Sequence, residues 1–218
     1  MPKVNQSYLS GKKQQLVQTA ISVLNTKPLY EITMRDIIKA AGISQGGVYR
    51  YFTDIDDVLV AVINAVNKNA DYSSQVDAIV KHCSRPEEAV QQILAFLGNY
   101  MANCPPITGK FQFELKTLLA NHPERIQKIM PRITEQNSGQ YLMEQLFRII
   151  LQGIETGAFA PLISAEELLA FIGSSIDGIV ENITMQNYYG VALGGGRLNP
   201  ESLMDTLSKC VILLLNIQ

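Results

Sequence analysis

The sequence predicts an all-α fold, in which an N-terminal three-helix unit with a helix-turn-helix precedes a larger helical domain, about nine helices in total. Three observations favour this class. Apolar residues recur at spacings of three and four along most of the 218 residues, which places them on one side of a helix. No run alternates between apolar and polar residues for long enough to predict a strand. Hydrophobic residues form 47% of the chain, which is sufficient for a packed core.

The first helix is predicted from about Ser10 to Thr26. Its apolar stripe consists of Leu16, Val17, Ala20, Ile21 and Leu24. Pro28 follows and ends the helix, because proline lacks the backbone N–H that helix continuation needs. We therefore expect this stripe to face the core of the N-terminal unit.

Two short helices are predicted next, on either side of a glycine. Thr33 can cap the second helix, and Asp36 adds negative charge to its positive first turn. Gly42 suits a left-handed C-cap, and Ser44 offers the next N-cap. A support helix, a tight turn with glycine and a second helix make up a helix-turn-helix. Residues 33–52 thus have the layout of that motif.

A fourth helix is predicted to start at Asp54, with Asp56 and Asp57 in its first turn. Further helices are expected at about 86–103, 107–120, 122–156, 164–188 and 200–217. Pro131 should kink or break the 122–156 helix. We place the domain boundary after residue 53, which gives an N-terminal domain of residues 1–53 and a C-terminal domain of residues 54–218.

Charge is distributed unevenly between these two parts. Residues 1–53 hold seven Lys or Arg and two acidic residues, a balance of +5, whereas residues 54–218 hold eleven and eighteen, a balance of −7. A polyanion such as DNA would bind the first part, since phosphate neutralisation supplies most non-specific affinity. The alternative is a basic face that contacts only solvent, and charge alone does not decide between them.

Other site classes lack a signal in the sequence. Cys83, Cys104 and Cys210 have no paired spacing, so we expect no disulfide framework, metal site or cofactor. We find no nucleophile with a base and no carboxylate pair at a spacing typical of an enzyme. No segment approaches the roughly 20 apolar residues that span a bilayer, and the N-terminus lacks a secretory signal. We expect a soluble cytoplasmic protein with no membrane partner.

The second helix of the motif carries the residues suited to DNA. Val48 and Phe52 can pack inward, which leaves Gln45, Gly46, Tyr49 and Arg50 outward. A glutamine can read adenine, and an arginine can read guanine or hold a phosphate. Two glycines at a helix start cost about 1 kcal/mol each relative to alanine. Close approach of the backbone to DNA would explain them, and relief of crowding between helices is the alternative.

The stretch TMRDIIKAAGISQGGVYRYFTDIDDVL resembles the N-terminal signature of the TetR family of bacterial repressors. The resemblance covers residues 10–60. It implies that Tyr51 anchors a phosphate and that the start of the first helix lies close to phosphates. The candidate DNA-binding residues are Lys12, Lys13, Thr33, Ser44, Gln45, Gly46, Gly47, Tyr49, Arg50 and Tyr51. The chain departs from the family at Ile55, where a lysine is common, so one phosphate contact would be missing.

The same resemblance implies a variable helical body whose last two long helices pair with those of a second subunit. Two apolar stripes fit such an interface, although an apolar stripe is also what an internal core helix has. We expect a homodimer through a four-helix interface. Its predicted residues are Leu168, Ile172, Ile176, Ile179, Ile183, Leu203, Leu207, Val211 and Leu214.

Scattered aromatic residues in the body suit a small-molecule cavity, with a few polar groups to orient the ligand. The predicted pocket residues are Phe96, Tyr100, Phe111, Glu114, Tyr141, Phe147, Phe171 and Asp177. We therefore predict a repressor that binds a palindromic DNA operator and is released by a small hydrophobic or aromatic effector. The alternatives are an activator, a ligand-independent DNA-binding factor, or an all-α small-molecule carrier.

Overall fold

The computed structural model describes residues 6–104, 106–191 and 196–217. Within these ranges the chain is helical, which confirms the predicted all-α class. Its α-helices are α1 Gln6–Leu24, α2 Met34–Ala41, α3 Gln45–Tyr49, α4 Ile55–Asn69, α5 Ser73–His82, α6 Pro86–Asn103, α7 Pro106–Asn121, α8 Pro123–Ile129, α9 Ser138–Glu155, α10 Ala165–Tyr189 and α11 Pro200–Leu215. Two short 3-10 turns cover Leu29–Glu31 and Met130–Arg132.

The described ranges thus contain eleven α-helices instead of the predicted nine or so. One addition is α5, which the sequence analysis did not predict. The other comes from the predicted 122–156 helix, which is divided into α8 and α9. Pro131 lies in the 3-10 turn that follows α8, so it breaks the helix. Asn137 then starts α9, where its side chain accepts the Gln140 N–H at 3.0 Å.

The chain folds into two compact units. The first comprises the residues up to Ala70 together with Phe111–Gln136, and the second comprises Asp71–Lys110 and Asn137–Gln218. Helix α7 therefore begins in the second unit and ends in the first. The functional boundary after residue 53 stays a prediction, while α4 packs with the N-terminal helices in the first unit.

The core of the first unit is built from α1, α2, α3 and α4 with the buried faces of α7 and α8. Leu16, Val17, Ala20 and Leu24 are buried as predicted, whereas Ile21 is half-exposed. The later segment adds Phe111, Leu118 and Ile129, which are also buried. The helix-turn-helix is thus supported by residues distant in sequence.

In the second unit α6 lies at the centre, against α11, α9 and α5. Gly98 permits the close approach of α11, because a Cβ there would lie 3.1 Å from the Glu201 Cα. Near the end of α9, Gly153 leaves room for the buried Phe159 ring. The segment that follows joins the end of α11, since the Leu162 N–H donates to the Leu214 carbonyl at 2.9 Å.

Candidate nucleic-acid interface

Helix α2 begins with a reciprocal cap. The Thr33 hydroxyl accepts the Asp36 N–H, and the Asp36 carboxylate accepts the Thr33 N–H at 2.8 Å and the Thr33 hydroxyl at 2.7 Å. Lys27 Nζ lies 3.0 Å from the same carboxylate. These hydrogen bonds hold the pKa of Asp36 at about 2, and the one from the Thr33 side chain lowers it most. Thr33 itself is exposed and therefore accessible to DNA.

The turn between α2 and α3 has the predicted geometry. Gly42 is the C-cap of α2 with φ of 64°, a left-handed conformation that favours glycine. Ser44 caps α3, its hydroxyl accepting the Gly47 N–H at 3.2 Å. These two caps thus determine where α2 ends and where α3 begins.

Helix α3 presents the expected residues to solvent. Val48 and Phe52 are buried, at 0% and 1% exposure. Gln45, Gly46 and Arg50 are exposed, and Tyr49 is 42% exposed. The predicted division into inward and outward residues is therefore confirmed, and contact with DNA stays a prediction.

The two glycines of α3 lie in different surroundings. A Cβ added at Gly46 would meet open space, with no other atom within 4 Å. At Gly47 it would lie 3.2 Å from Ile43 Cδ1 and 3.3 Å from the Ser44 hydroxyl, both within the motif's own turn. Crowding between helices is therefore the wrong explanation for Gly46. Its surface faces outward, as close approach to a partner would require.

The three candidate phosphate contacts have distinct local environments. Lys12 Nζ donates to Gln15 Oε1 at 3.0 Å on the surface of α1. Lys13 Nζ lies 5.6 Å from the centre of the Phe52 ring. Tyr51 is half-buried and lines the same surface cavity as Lys13. All three retain polar groups that a phosphate oxygen could accept from.

This cavity of about 320 Å³ also involves residues that the sequence analysis missed. One side is the α4 face that includes Asp57 and Asn64, and another is formed by Arg132 and Thr134. No sequence motif signals Arg132, since it is 80 residues from Phe52 in the chain.

The start of α4 is fixed by side chains. Asp54 accepts the Asp57 N–H at 2.9 Å, while Asp57 accepts the Thr53 N–H at 2.7 Å and the Thr53 hydroxyl. Arg132 also pairs with Asp57. These contacts lower the pKa of Asp57 to about 2, and the hydrogen bond from the Thr53 hydroxyl has the largest effect. Ile55, at the position where the resemblance implies a lysine, is half-buried.

Residues 16–62, which include this whole motif, match the family model described as bacterial regulatory proteins of the tetR family. Over these residues the chain has the helix-turn-helix domain of the TetR family. Proteins of this family regulate transcription, so the chain is a helix-turn-helix transcriptional regulator and not an enzyme.

Similarity to known proteins extends beyond the motif. It is 23% identical to the uncharacterized HTH-type transcriptional regulator YfiR of Bacillus subtilis, over 83% of this chain and 84% of YfiR. Its fold matches a TetR transcription regulator from Haloarcula marismortui with a TM-score of 0.63 and 18% identity, over 95% of this chain and all of the other. It also matches FadR of Bacillus subtilis in complex with stearoyl-CoA, with a TM-score of 0.59 and 16% identity, over 94% and 99% of the two chains.

The eight predicted pocket residues are divided between the two units, and their contact with a ligand stays a prediction. Phe111 and Glu114 are buried in the first unit, where Glu114 accepts the Leu29 N–H at 2.8 Å. Phe171 and Asp177 are exposed on α10. The remaining four, Phe96, Tyr100, Tyr141 and Phe147, are half-buried against the core of the second unit. Glu114 is thus a structural cap on the chain after α1.

An aromatic cluster in the second unit does include two of the predicted residues. The Tyr72 ring centre lies 5.3 Å from that of Phe96 and 4.6 Å from that of Tyr100. Tyr72 is buried, and burial raises its pKa above the ordinary value for a tyrosine. The sequence analysis missed Tyr72 because it precedes the unpredicted helix α5.

Most of the predicted interface residues form the core of their own subunit. Six are buried in the single chain, namely Leu168, Ile172, Ile176, Ile183, Leu207 and Val211. Ile179, Leu203 and Leu214 are half-buried. These six thus contribute to the core of the single chain, the alternative left open for any apolar stripe, and their contact with a second subunit stays a prediction.

Proposed function

We propose that this regulator is a repressor that binds a palindromic operator as a homodimer and is released by a small apolar or aromatic effector. The observation that carries the proposal is the exposed face of α3, which directs Gln45, Gly46, Tyr49 and Arg50 outward. Side-chain caps hold the starts of both α2 and α3 in place. Side chains on a rigid element next to a major groove can select base edges. DNA as the partner would place the protein in the cytoplasm.

Each exposed residue has a separate proposed role. Gln45 and Arg50 read bases, because their side chains can make bidentate hydrogen bonds to adenine and guanine. Lys12, Lys13 and Tyr51 hold phosphates, which sets position and salt dependence rather than sequence preference. The Ser44 hydroxyl, which accepts the Gly47 N–H, can donate to a phosphate, and Thr33 and Gly47 lie beside the DNA backbone.

Dimerisation follows from the small number of bases that one five-residue helix can read. Two copies held about 34 Å apart would read two half-sites. Helix α10 supports a second subunit, since its most apolar 18-residue window is only 28% buried in the chain. By length and hydropathy α10 could also cross a membrane, contrary to the expectation from the sequence, but a single such helix does not indicate a membrane protein. Exposed Phe171 of α10 and Leu213 of α11 are the proposed contacts.

The second unit is the proposed effector-binding part. Its interior is apolar, and the cluster of Tyr72, Phe96 and Tyr100 offers flat aromatic surfaces with hydroxyl groups. Such a lining suits an apolar ligand with few polar groups. FadR of Bacillus subtilis, a protein of the same fold, is solved with stearoyl-CoA. An apolar effector must prefer the state that does not bind DNA if it is to release the operator.

The first experiment is selection of random double-stranded DNA with the purified chain at a stated salt concentration. We expect one palindrome to be enriched. Gln45→Ala and Arg50→Ala should relax the sequence preference, while Lys12→Ala and Tyr51→Ala should weaken binding to every duplex alike. Equal loss at every sequence from all four variants would contradict these roles. No enrichment would contradict specific DNA binding and favour a carrier.

A reporter gene under the selected palindrome distinguishes a repressor from an activator. We expect expression of the chain to lower reporter output, because a bound dimer blocks the promoter. An increase in output would show activation instead.

A further inference from the structure

The helix-turn-helix unit is completed by residues 111–136, which are distant in sequence. The first contact is made by α7, where the buried Glu114 carboxylate accepts the N–H of buried Leu29 at 2.8 Å. Leu29 begins the 3-10 turn between α1 and α2. A buried carboxylate on a backbone donor fixes that turn, because the donor would otherwise lose its partner.

The second contact joins α8 to the first turn of α4. Arg125 Nε donates to Asp56 Oδ1 at 2.8 Å, and the terminal nitrogen of Arg125 contacts the same oxygen. The two side chains retain only 18% and 12% exposure. Ion pairs shielded in this way are costly to break, since the remaining charge stays buried without its partner.

The third contact extends this attachment along α4. Arg132 pairs with Asp57, which also accepts the Thr53 N–H. Two turns further on, Asn64 Oδ1 accepts the Thr134 N–H at 2.8 Å and the Glu135 N–H at 3.0 Å. The segment is thus bound both at the start of α4 and two turns beyond it.

We propose that Arg125 and Arg132 are positioning residues for DNA recognition, which act by fixing the first turn of α4. This inference rests on the proposed DNA binding. Phe52, the third residue after α3, is buried in the core, and Thr53 follows it directly. Thr53, Asp57 and Arg132 form a continuous polar connection from the residues that follow α3 to residues 130–135. The direction of α3 therefore depends on both arginines.

Positioning and direct phosphate binding predict different results. If the arginines only held phosphates, their loss would weaken binding to all duplexes equally. If they orient α3, the base contacts are misaligned and operator DNA loses more affinity than a shuffled duplex. The ratio of the two dissociation constants is therefore the informative quantity.

The test compares Arg125→Gln and Arg132→Gln with Lys128→Gln in the full chain. Lys128 is exposed on α8, so its variant removes the same charge from the same segment. Fluorescence anisotropy gives Kd for the selected operator and for a shuffled duplex, and circular dichroism gives the folded fraction. We expect each arginine variant to lower operator affinity roughly tenfold, a change that corresponds to about 1.4 kcal/mol. Shuffled DNA should change no more than with Lys128→Gln.

A charge reversal keeps the test decisive if a single variant folds poorly. The pair Arg125→Glu with Asp56→Lys should fold and recover operator affinity relative to Arg125→Glu alone. Wild-type operator affinity in both Arg→Gln variants, or a folded reversal pair without recovery, would overturn the inference. If the wild-type chain binds no duplex specifically, the proposed function fails instead, and this inference fails with it.

Discussion

At the residue scale, Gly46 shows how a local cost can indicate a use. Glycine inside a helix is less favourable than alanine by about 1 kcal/mol, and a methyl group at this position would meet open space. Packing within the chain therefore gives no reason for glycine here. A partner whose surface approaches the α3 backbone does give one.

We therefore predict that Gly46→Ala has opposite effects on folding and on DNA binding. The free energy of unfolding should rise by up to about 1 kcal/mol, because alanine is the better helix former. Operator affinity should fall because the methyl group would keep the backbone away from DNA. Thermal denaturation and anisotropy measure the two quantities. Ser74→Ala on exposed α5, in the second unit, is the control and should alter stability alone. Unchanged operator affinity with Gly46→Ala would contradict the close approach.

The carboxylates of Asp36 and Asp57 predict how the fold responds to acid. Both have a pKa of about 2 in the folded chain, below the roughly 3.9 of an unfolded aspartate. A depressed folded pKa adds stability that is fully present above about pH 4 and is lost as the pH falls towards 2. Each should contribute on the order of 1–2 kcal/mol.

The measurement is the unfolding midpoint between pH 7 and pH 2 for the wild type and Asp36→Asn. The wild type should show a steady midpoint above about pH 5 and a decline below pH 4, and the variant should begin lower and decline less. Glu155→Gln, which removes an exposed carboxylate from α9, is the control. A variant that declines as steeply as the wild type would show that Asp36 is not a source of the acid sensitivity.

At the scale of elements, the sequence predicts best where caps and glycines mark helix ends. Thr33, Gly42, Ser44 and Asp54 fix α2, α3 and the start of α4, and the structure has each boundary within a residue or two. Helix α5 escaped prediction because it is short and has one fully buried apolar residue, Val76. The site is predictable in the same part of the chain, since its outward residues depend on local periodicity alone.

Elements distant in sequence are the part that local patterns do not predict. An apolar stripe has the same spacing whether it faces its own core or a second subunit, which is why α10 and α11 were assigned to the interface. Arg125 and Arg132 have no motif because their partners are about seventy residues away. Only the packing of the whole unit reveals them.

Exposed α11 residues permit a test of dimerisation that leaves the core intact. Leu213 is 73% exposed in the chain, whereas Leu207 is buried. Leu213→Glu should therefore shift the chain to monomers by charging an apolar contact, without a loss of stability in the monomer. Sedimentation velocity measures the shift. Ile126→Glu, at an exposed apolar position of α8, is the control and should stay dimeric; a Leu213→Glu chain that sediments as a dimer would exclude this contact.

At the scale of the molecule, opposite charge separates the DNA-binding part from the rest. The balance of +5 in residues 1–53 attracts DNA, and the −7 of the remainder repels it. The electrostatic share of affinity therefore depends on few residues in the N-terminal part. Position 55 is where the family resemblance implies a further lysine, and this chain has half-buried Ile55.

We predict that Ile55→Lys increases both DNA affinity and its dependence on salt. One new phosphate contact in each half of a dimer should steepen the slope of log K against log salt by about 1.8, since each contact adds about 0.9. Operator and shuffled duplexes should gain equally, because a phosphate contact carries no sequence information.

Gln92→Lys, which adds the same charge at an exposed site on α6 of the second unit, is the control. Titrations between 50 and 200 mM salt measure both slopes. An unchanged slope with Ile55→Lys would mean that the start of α4 lies away from the DNA backbone, whereas an equal gain with Gln92→Lys would indicate attraction by net charge alone.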